Sequence, residues 1–366
     1  MPVVMDIDSA DHHLAAAVLH NRERMFRSSR EPLADCIKVG LINNMPDGAL
    51  VATERQLFDL LNEAAGTIPI HLQLYALPTV SRSTWGQQYT DRYYLDADEL
   101  LRSALDGVIV TGAEPRADKL TREPYWNLLG AVIDWAQENT ASAVWSCLAV
   151  HGAVLHIDGI ERRQLPEKCI GVFKQAQRSD HLLLNGAPPR FKIPHSRWNE
   201  VSEQLLASSG YTILTSSEEA GADTFVKQMG RSLFVYFQGH PEYDAHSLLG
   251  EYRRDVGRFL RGEIERYPTM PQGYFDTEAR KLLAIFKNQA HTDRRQELLS
   301  AFPVDAVASK LKNTWRLTAQ QIYRNWITYI AEAKVRRTNG IGFGHGVTSS
   351  PVPGQPRLPA SVPIEN

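Results

Sequence analysis

The feature that most constrains this chain is the turn expected around Cys147. An apolar run, Ala141-Ser142-Ala143-Val144-Trp145-Ser146, precedes the cysteine, and Leu148-Ala149-Val150-His151-Gly152-Ala153-Val154-Leu155 follows it. This pattern predicts a buried strand, a sharp turn and a helix. A helix that begins directly after the sulfur directs free backbone N–H groups toward it, which stabilises a thiolate or a neighbouring oxyanion. The thiol is therefore expected to lie exposed in a cleft.

A later segment supplies the partners that such a thiol needs. Phe237-Gln238-Gly239-His240-Pro241-Glu242-Tyr243-Asp244 places a histidine and a carboxylate two residues apart. Cys147, His240 and Glu242 together are the parts of an acyl-transfer triad. His151 lies one helical turn after the cysteine, but a side chain on that helix points along its flank and away from the turn. We therefore predict His240 as the base.

Strands and helices alternate around this turn. Strands are predicted at 36–42, 68–75 and 107–111, and helices at 53–61, 96–105 and 124–137, with a polar loop at 81–94. This alternation predicts an α/β fold with a doubly wound, mostly parallel sheet covered on both faces. The Cys147 turn then lies at the carboxyl end of a strand, where ligand clefts of such sheets are found.

The remaining segments divide the chain into three parts. Residues 1–35 are predicted to form an arm that lies on the body of the protein or on a neighbouring subunit. Residues 36–334 form the main α/β domain, with broken strands between 168 and 238 and helical C-terminal segments at 244–260 and up to about 333. Residues 335–366 contain Pro351, Pro353, Pro356, Pro359 and Pro363 and are expected to be a disordered tail.

Composition narrows the possible partners. The formal net charge of the 366 residues is -2, and no long basic run is present, so neither nucleic acid nor an anionic membrane is an expected partner. No segment approaches the roughly 20 apolar residues that span a bilayer, and the N-terminus lacks a signal-peptide pattern. We predict a cytoplasmic protein.

The cysteines and the other histidines give weaker signals. The three cysteines, Cys36, Cys147 and Cys169, are too few and too scattered for a disulfide framework or a zinc site, so no metal is expected. Cys36 and Cys169 are expected to be packing residues. Pro194-His195-Ser196-Arg197 is typical of a polar loop that holds a substrate, and equally compatible with a hydrogen-bonded turn.

The chain resembles a known family in several of these strings. They are Asn43-Asn44-Met45-Pro46, Thr53-Glu54-Arg55-Gln56, Val110-Thr111-Gly112-Ala113, Cys147, Pro194-His195-Ser196-Arg197, Gly239-His240-Pro241-Glu242-Tyr243-Asp244, Trp315-Arg316 and Asn325-Trp326. Over about residues 36–334 the sequence is similar to the homoserine O-succinyltransferases. These enzymes share the class I glutamine amidotransferase fold, which is flavodoxin-like. They acylate homoserine in methionine biosynthesis.

The resemblance implies a role for each site residue. Cys147 would take the acyl group from acyl-CoA as a thioester, with His240 as general base and Glu242 orienting it. The oxyanion donors would be backbone N–H groups of Leu148 and of the Gly112-Ala113 loop. The residues at the family's amino-acid-binding positions are Lys168, Ser196 and Arg254. The resemblance also implies a homodimer, with acyl-CoA as co-substrate and no bound cofactor.

The chain departs from the family pattern at two places. Asp47-Gly48 follows Met45-Pro46 where the family commonly has lysine, and two additional residues come before Thr53-Glu54. The position that helps to choose the acyl donor is usually glycine or glutamate, whereas here the string is Glu114-Pro115-Arg116. Arg116 can pair with a free carboxylate, which favours succinyl-CoA over acetyl-CoA. The acceptor is homoserine or serine.

Two other classes of protein are compatible with parts of the pattern. A class I glutamine amidotransferase uses the same triad to hydrolyse glutamine. However, the turn Trp145-Ser146-Cys147-Leu148-Ala149 lacks the flanking glycines of those enzymes, and no synthase domain is attached. A non-catalytic binding protein with the same fold has no physical need for a thiol at that turn.

Overall fold

The computed structural model describes residues 3–6, 11–26 and 36–339. The strands are β1 (Val3–Met5), β2 (Ile37–Ile42), β3 (Ile70–Tyr75), β4 (Gly107–Val110), β5 (Ser142–Ser146), β6 (Arg163–Gln177), β7 (Arg190–Glu200), β8 (Thr212–Ile213), β9 (Thr215–Ser217), β10 (Gly221–Ala222), β11 (Thr224–Met229) and β12 (Ser232–Phe237). The α-helices are α1 (Ala15–Phe26), α2 (Asp47–Ala64), α3 (Thr84–Tyr93), α4 (Ala97–Arg102), α5 (Trp126–Asn139), α6 (Leu148–Asp158), α7 (Glu203–Ser208), α8 (Ser247–Leu260), α9 (Thr277–Thr292), α10 (Val304–Ala308) and α11 (Arg316–Thr338). Short 3₁₀ helices occupy Leu120–Arg122, Leu182–Leu184 and Gln296–Ala301.

The main sheet has eight strands in the order β1-β3-β2-β4-β5-β12-β11-β8. The first six strands in this order, β1 through β12, pair in parallel. Strand β11 pairs antiparallel with both β12 and β8, and β8 forms the edge of the sheet. This arrangement confirms the predicted α/β fold with a mostly parallel sheet. A second sheet, β10-β9-β6-β7, is antiparallel throughout.

Helices cover both faces of the main sheet. Successive side chains of a strand point to opposite faces, so Val144 belongs to the apolar cluster beneath α2 and α11. Its neighbours Ala143 and Trp145 belong to the cluster beneath α5 and α6. Strand β5 is therefore buried at every position, with apolar side chains at its centre, as expected for a strand covered on both sides. Helices α8, α9 and α10 share a separate apolar cluster beyond the sheet.

Both ends of the predicted domain extend beyond their expected boundaries. Within the predicted arm, β1 pairs in parallel with β3 and so lies in the main sheet of its own chain. Helix α11 continues past 334 to Thr338. The rest of the predicted tail, from residue 340, lies outside the described residues. None of the described helices combines the length and the apolar character needed to cross a membrane.

Two of the longer described helices were not expected from the sequence. The segment predicted as a polar loop at 81–94 contains α3, whose N-terminus is capped by the Ser83 hydroxyl accepting the Gly86 N–H at 3.2 Å. Only Gly86 and Thr90 of α3 are buried, so the helix lacks the apolar periodicity that would have predicted it. Helix α9 was also missed, although Leu283, Phe286 and Ala290 give it a buried face at helical spacing.

Asp106 joins the C-terminal helix to the sheet. Its buried carboxylate accepts the Lys38 N–H at 2.9 Å, the Lys334 ammonium at 2.9 Å and the Arg337 guanidinium at 2.6 Å. Removing one member of a buried ion pair leaves the other charges uncompensated. We expect Asp106→Ala to lower the free energy of unfolding by about 3 kcal/mol, measured by urea denaturation.

Asp118→Ala is the matched control for this prediction. Asp118 pairs with Arg122 at 3.0 Å on the surface, where the aspartate side chain is 65% exposed. Such a pair contributes less than about 1 kcal/mol. Equal losses in the two variants would show that Asp106 does not anchor α11.

Candidate active site

The backbone at Cys147 is strained in the way expected of a sharp strand-to-helix turn. Cys147 lies between β5 and α6 with φ 52° and ψ −111°, and it is the only non-glycine residue with positive φ in the described part of the chain. Such a conformation costs a side-chain-bearing residue about 1–3 kcal/mol. The Cys147 N–H donates to the Phe237 carbonyl at 2.8 Å, which fixes the turn to the end of β12. The thiol is half-buried.

His240 and Glu242 form a buried pair just beyond β12. The His240 Nδ1 lies 2.8 Å from Glu242 Oε1, and each side chain is only 6% exposed. Burial alone would lower the pKa of His240, but the adjacent Cys147 sulfur and the Glu242 carboxylate, both hydrogen-bonded to the ring, raise that pKa well above its usual value. With Nδ1 bonded to the carboxylate, Nε2 is the nitrogen that faces the thiol. The three predicted triad residues are therefore brought together.

Asp223 holds the backbone that carries His240, and no pattern in the sequence predicted this role. The Asp223 carboxylate accepts the Gly239 N–H at 3.0 Å, and the His240 N–H donates to the Pro194 carbonyl at 2.8 Å. A Cβ on Gly239 would lie 2.6 Å from Ile193 Cγ2 and 2.7 Å from Asp223 Oδ1. Only glycine fits here, so the close packing of this loop fixes the imidazole in place.

The loop after β4 packs against the start of α6. A Cβ on Gly112 would lie 2.9 Å from the Leu148 nitrogen and 2.5 Å from its Cβ. The Leu148 N–H is in the first turn of α6, where backbone N–H groups have no partner within the helix. The residues predicted as oxyanion donors, Gly112, Ala113 and Leu148, thus lie side by side next to Cys147.

A cavity of about 420 Å³ opens beside this loop. Its walls include Asn44, Val80, Ala113, Glu114, Arg116 and Tyr125. The backbone N–H groups of Arg116 and Ala117 donate to the buried Glu123 carboxylate at 2.6 and 2.7 Å. These bonds fix the main chain of Arg116 on the cavity wall, which begins at the predicted oxyanion loop.

The three residues predicted to bind an amino acid converge on one carboxylate. Lys168 lies 3.5 Å from Glu251 Oε2, Arg254 lies 3.7 Å from the same oxygen, and the Ser196 hydroxyl donates to it. Lys168 also contacts Asp255 Oδ2 at 2.7 Å, and Arg254 contacts Asp255 Oδ1 at 3.4 Å. Two cations and two carboxylates therefore form a charge-balanced cluster. Arg254 is its most open member, with 56% of its side chain exposed.

Tyr243 connects this cluster to the triad. Its ring stacks on the His240 imidazole, with centroids 4.1 Å apart and an interplanar angle of 14°. Its hydroxyl donates to Glu251 Oε1 at 2.6 Å. Burial raises the pKa of Glu251, but Lys168 and the hydrogen bonds from Ser196 and Tyr243 outweigh it and hold that pKa below its usual value. Glu251 is therefore a stable anion.

Tyr243, Glu251 and Asp255 were not predicted as site residues. Tyr243 was visible only as part of the string after His240. Glu251, Arg254 and Asp255 lie at positions i, i+3 and i+4 of α8, a spacing that places them on one helix face. That spacing is the signal in the sequence that could have identified the two acids once Arg254 was chosen.

Other histidines lie apart from this chemistry. Burial, together with Arg197 and Arg162, lowers the pKa of His151 to about 3, and its Nε2 lies 3.4 Å from Gln238 Oε1. The expected loop around His195 is wrong: His195 is completely buried in β7, where it lies 3.3 Å from Asp223. Burial lowers the pKa of His195 well below its usual value, so it is a neutral interior residue.

The other cysteines have no comparable surroundings. Cys36 is buried, and Cys169 is half-buried in β6. Burial raises the pKa of the Cys169 thiol, the opposite of what a nucleophile needs.

Comparison with known proteins supplies the family. The sequence profile of the homoserine O-succinyltransferase family matches residues 11–336. Homoserine O-succinyltransferase from Rhodopseudomonas palustris is 46% identical over 318 residues, which cover 87% of this chain and 95% of that protein. The enzyme of the same name from Bradyrhizobium japonicum is 44% identical over 307 residues, covering 84% and 93%.

Solved structures similar to the chain are more distant in sequence. A glutamine amidotransferase from Thermotoga maritima aligns with a TM-score of 0.47 at 11% identity, covering 80% of this chain and 98% of that chain. A glutamine amidotransferase from Methylobacillus flagellatus aligns with a TM-score of 0.44 at 15% identity, covering 81% and 95%.

The α/β fold and the matching relatives place the chain in the class of acyltransferases. Within this class, the chain belongs to the homoserine O-succinyltransferase family.

The buried His240–Glu242 pair generates a prediction for Glu242→Gln. Loss of the negative charge removes one of the interactions that raise the pKa of His240, so this pKa should fall, as measured by NMR titration of the imidazole. The rate of acyl transfer should fall by about 10²- to 10⁴-fold. Glu218→Gln, at an exposed position, is the control. An unchanged imidazole pKa in Glu242→Gln would contradict the proposed pairing.

Proposed function

We propose that this protein transfers the succinyl group of succinyl-CoA to the hydroxyl of homoserine through a thioester on Cys147. The observation that supports this most directly is the convergence of Cys147, His240 and Glu242 at the carboxyl ends of β5 and β12, in a chain of this family. Their order, sulfur to imidazole to carboxylate, is the arrangement required for nucleophilic acyl transfer.

The first half-reaction forms the enzyme thioester. The Cys147 thiolate attacks the carbonyl carbon of the acyl-CoA thioester, and the bond from that carbon to the CoA sulfur breaks. The imidazolium of His240 supplies the proton that the CoA sulfur gains as it leaves. The raised pKa of His240 supports this step, because the ring can then hold the proton that the CoA sulfur needs.

The second half-reaction releases the enzyme. His240 Nε2 takes the proton of the homoserine hydroxyl, whose oxygen attacks the thioester carbon, and the bond from that carbon to the Cys147 sulfur breaks. Each attack places negative charge on the carbonyl oxygen. The N–H groups of Leu148 and of the Gly112-Ala113 loop are the proposed donors to that oxygen, which accords with the packing of Gly112 against Leu148.

The charged cluster around Glu251 is the proposed acceptor site. Arg254 has a largely exposed guanidinium that can hold the carboxylate of a free amino acid bidentately. Lys168 is 9% exposed and already paired with Asp255, so its proposed role is to hold the two carboxylates of the cluster in place. Ser196, which donates to Glu251, forms part of the wall of this site. Tyr243 places this cluster next to the base, which suits an acceptor hydroxyl that must reach His240.

The cavity beside the Gly112-Ala113 loop is the proposed donor site. Arg116 lies on its wall and can pair with the free carboxylate of a succinyl group, which an acetyl group lacks. We further propose that the protein acts in methionine biosynthesis in the cytoplasm, as a homodimer, without a bound cofactor and without nucleic-acid or membrane partners. The family membership and the charge of -2 support this setting.

Trapping the thioester tests the proposed function. Incubation with succinyl-CoA in the absence of an acceptor should give a succinyl adduct on Cys147, detected by intact-mass and peptide mass spectrometry. Cys147→Ser should lack the stable thioester. An acetyl-CoA arm identifies the alternative donor, and homoserine and serine arms identify the acceptor that discharges the adduct. No adduct with either donor, together with glutaminase activity, would overturn the assignment.

Arg116→Ala tests the donor preference. Loss of a charge-assisted bond to the succinyl carboxylate should reduce the ratio of kcat/KM for succinyl-CoA to that for acetyl-CoA by about tenfold or more. Arg122→Ala, a surface arginine paired with Asp118, is the matched control. An unchanged ratio in Arg116→Ala would remove Arg116 from the donor site.

A further inference from the structure

We propose that His12, His13 and Glu54 form a binding site for a divalent transition-metal cation such as Zn²⁺, separate from the active site. The two histidines precede α1, and Glu54 lies in the middle of α2. One ligand atom from each residue lies within 4.8 Å of the other two. Two imidazoles and one carboxylate are a ligand set that Zn²⁺ uses with a fourth, open position.

The distances within the cluster suit such an ion. Glu54 Oε1 lies 2.9 Å from His12 Nε2 and 3.7 Å from His13 Nε2. Ligand atoms at about 2.0–2.1 Å from zinc in a tetrahedral site lie about 3.3 Å apart. The two measured separations fall on either side of this value, so small side-chain rotations complete the geometry.

The state of Glu54 is the independent observation that indicates a ligand. Its side chain is completely buried, and in the described part of the chain Oε1 accepts no hydrogen bond of normal geometry, because the 2.9 Å contact with His12 Nε2 is poorly aligned. A buried carboxylate oxygen without a hydrogen bond is costly. A cation bound between this oxygen and the two imidazoles removes that cost.

The neighbouring tyrosines hold the carboxylate in the orientation that a metal site needs. Tyr94 and Tyr89 donate to Glu54 Oε2 at 2.8 and 3.2 Å, which leaves Oε1 directed at the histidines. Hydrogen bonds of this kind orient metal ligands and strengthen binding. The Tyr89 hydroxyl also lies 3.2 Å from His12 Nε2 and 3.2 Å from His13 Nδ1, so it contacts all three residues of the cluster.

Access to the site also fits. The His13 side chain is 25% exposed, so an ion can enter from solvent without opening the core.

The position of the site implies a structural role. Next to Glu54 on α2, Gln56 donates to Ser247 at 2.8 Å and Arg55 lies 3.5 Å from Asp244. Asp244 lies two residues after Glu242. A cation on Glu54 would therefore fasten the N-terminal segment to the helix that supports the end of the loop that contains Glu242.

Zinc and cobalt titrations of the full chain test the proposal. Cys147→Ser is used as the background, so that metal held by the active-site thiol is not counted. We expect one Zn²⁺ per chain by isothermal titration calorimetry, and Co²⁺ should give the visible absorption of a tetrahedral or five-coordinate site. His13→Ala in this background should bind at least about tenfold more weakly.

His20→Ala is the matched control, because His20 is an exposed histidine on the neighbouring α1. It should keep the affinity of the background chain. Circular dichroism and the urea midpoint without metal show whether His13→Ala folds. Absence of saturable binding by the background chain, or equal affinities in the His13 and His20 variants, would overturn the proposal.

Discussion

The parallel pairing of β5 with β12 is the constraint on which the site depends. Residues 147–231 separate these strands along the chain, yet their register places Trp145 beside Tyr236 and Ser146 beside Phe237. One more bond, from the Cys147 N–H to the Phe237 carbonyl, continues the ladder past the end of β5. The turn at Cys147 and the loop that carries His240 therefore emerge side by side. A shift of the register by one residue would move every side chain of β12 to the other face and separate the triad.

The sequence predicted those parts of the fold that are governed by local pattern. Strands β2, β4 and β5 are short apolar runs followed by turns, because burial on both faces demands apolar side chains at nearly every position. The failures occurred where tertiary contacts decide the structure. Helix α3 is mostly polar and depends on its Ser83 cap. The polar string around His195 is a strand because it pairs with β6 in the second sheet.

The same division applies to the sites. Cys147, His240 and Glu242 could be predicted because each follows a predicted strand and has the residue type that the chemistry demands. Glu251, Tyr243 and Asp223 act through contacts between distant elements, which periodicity alone does not reveal. The metal site proposed at His12, His13 and Glu54 was not predicted from the sequence. Its histidines and its acid are on segments whose proximity is set by packing of the N-terminal segment on α2.

Tyr243 has a consequence for the order of events in catalysis. One face of its ring lies on the imidazole of His240, while its hydroxyl is bonded to the anion at the centre of the amino-acid cluster. Glu251 and His240 also interact directly through their charges. In the proposed mechanism, an amino acid bound next to Glu251 would rearrange the surrounding cations and so alter the electric field at the imidazole. Occupancy of the proposed acceptor site and the basicity of His240 would then be thermodynamically linked, and deacylation would be favoured when the acceptor is present.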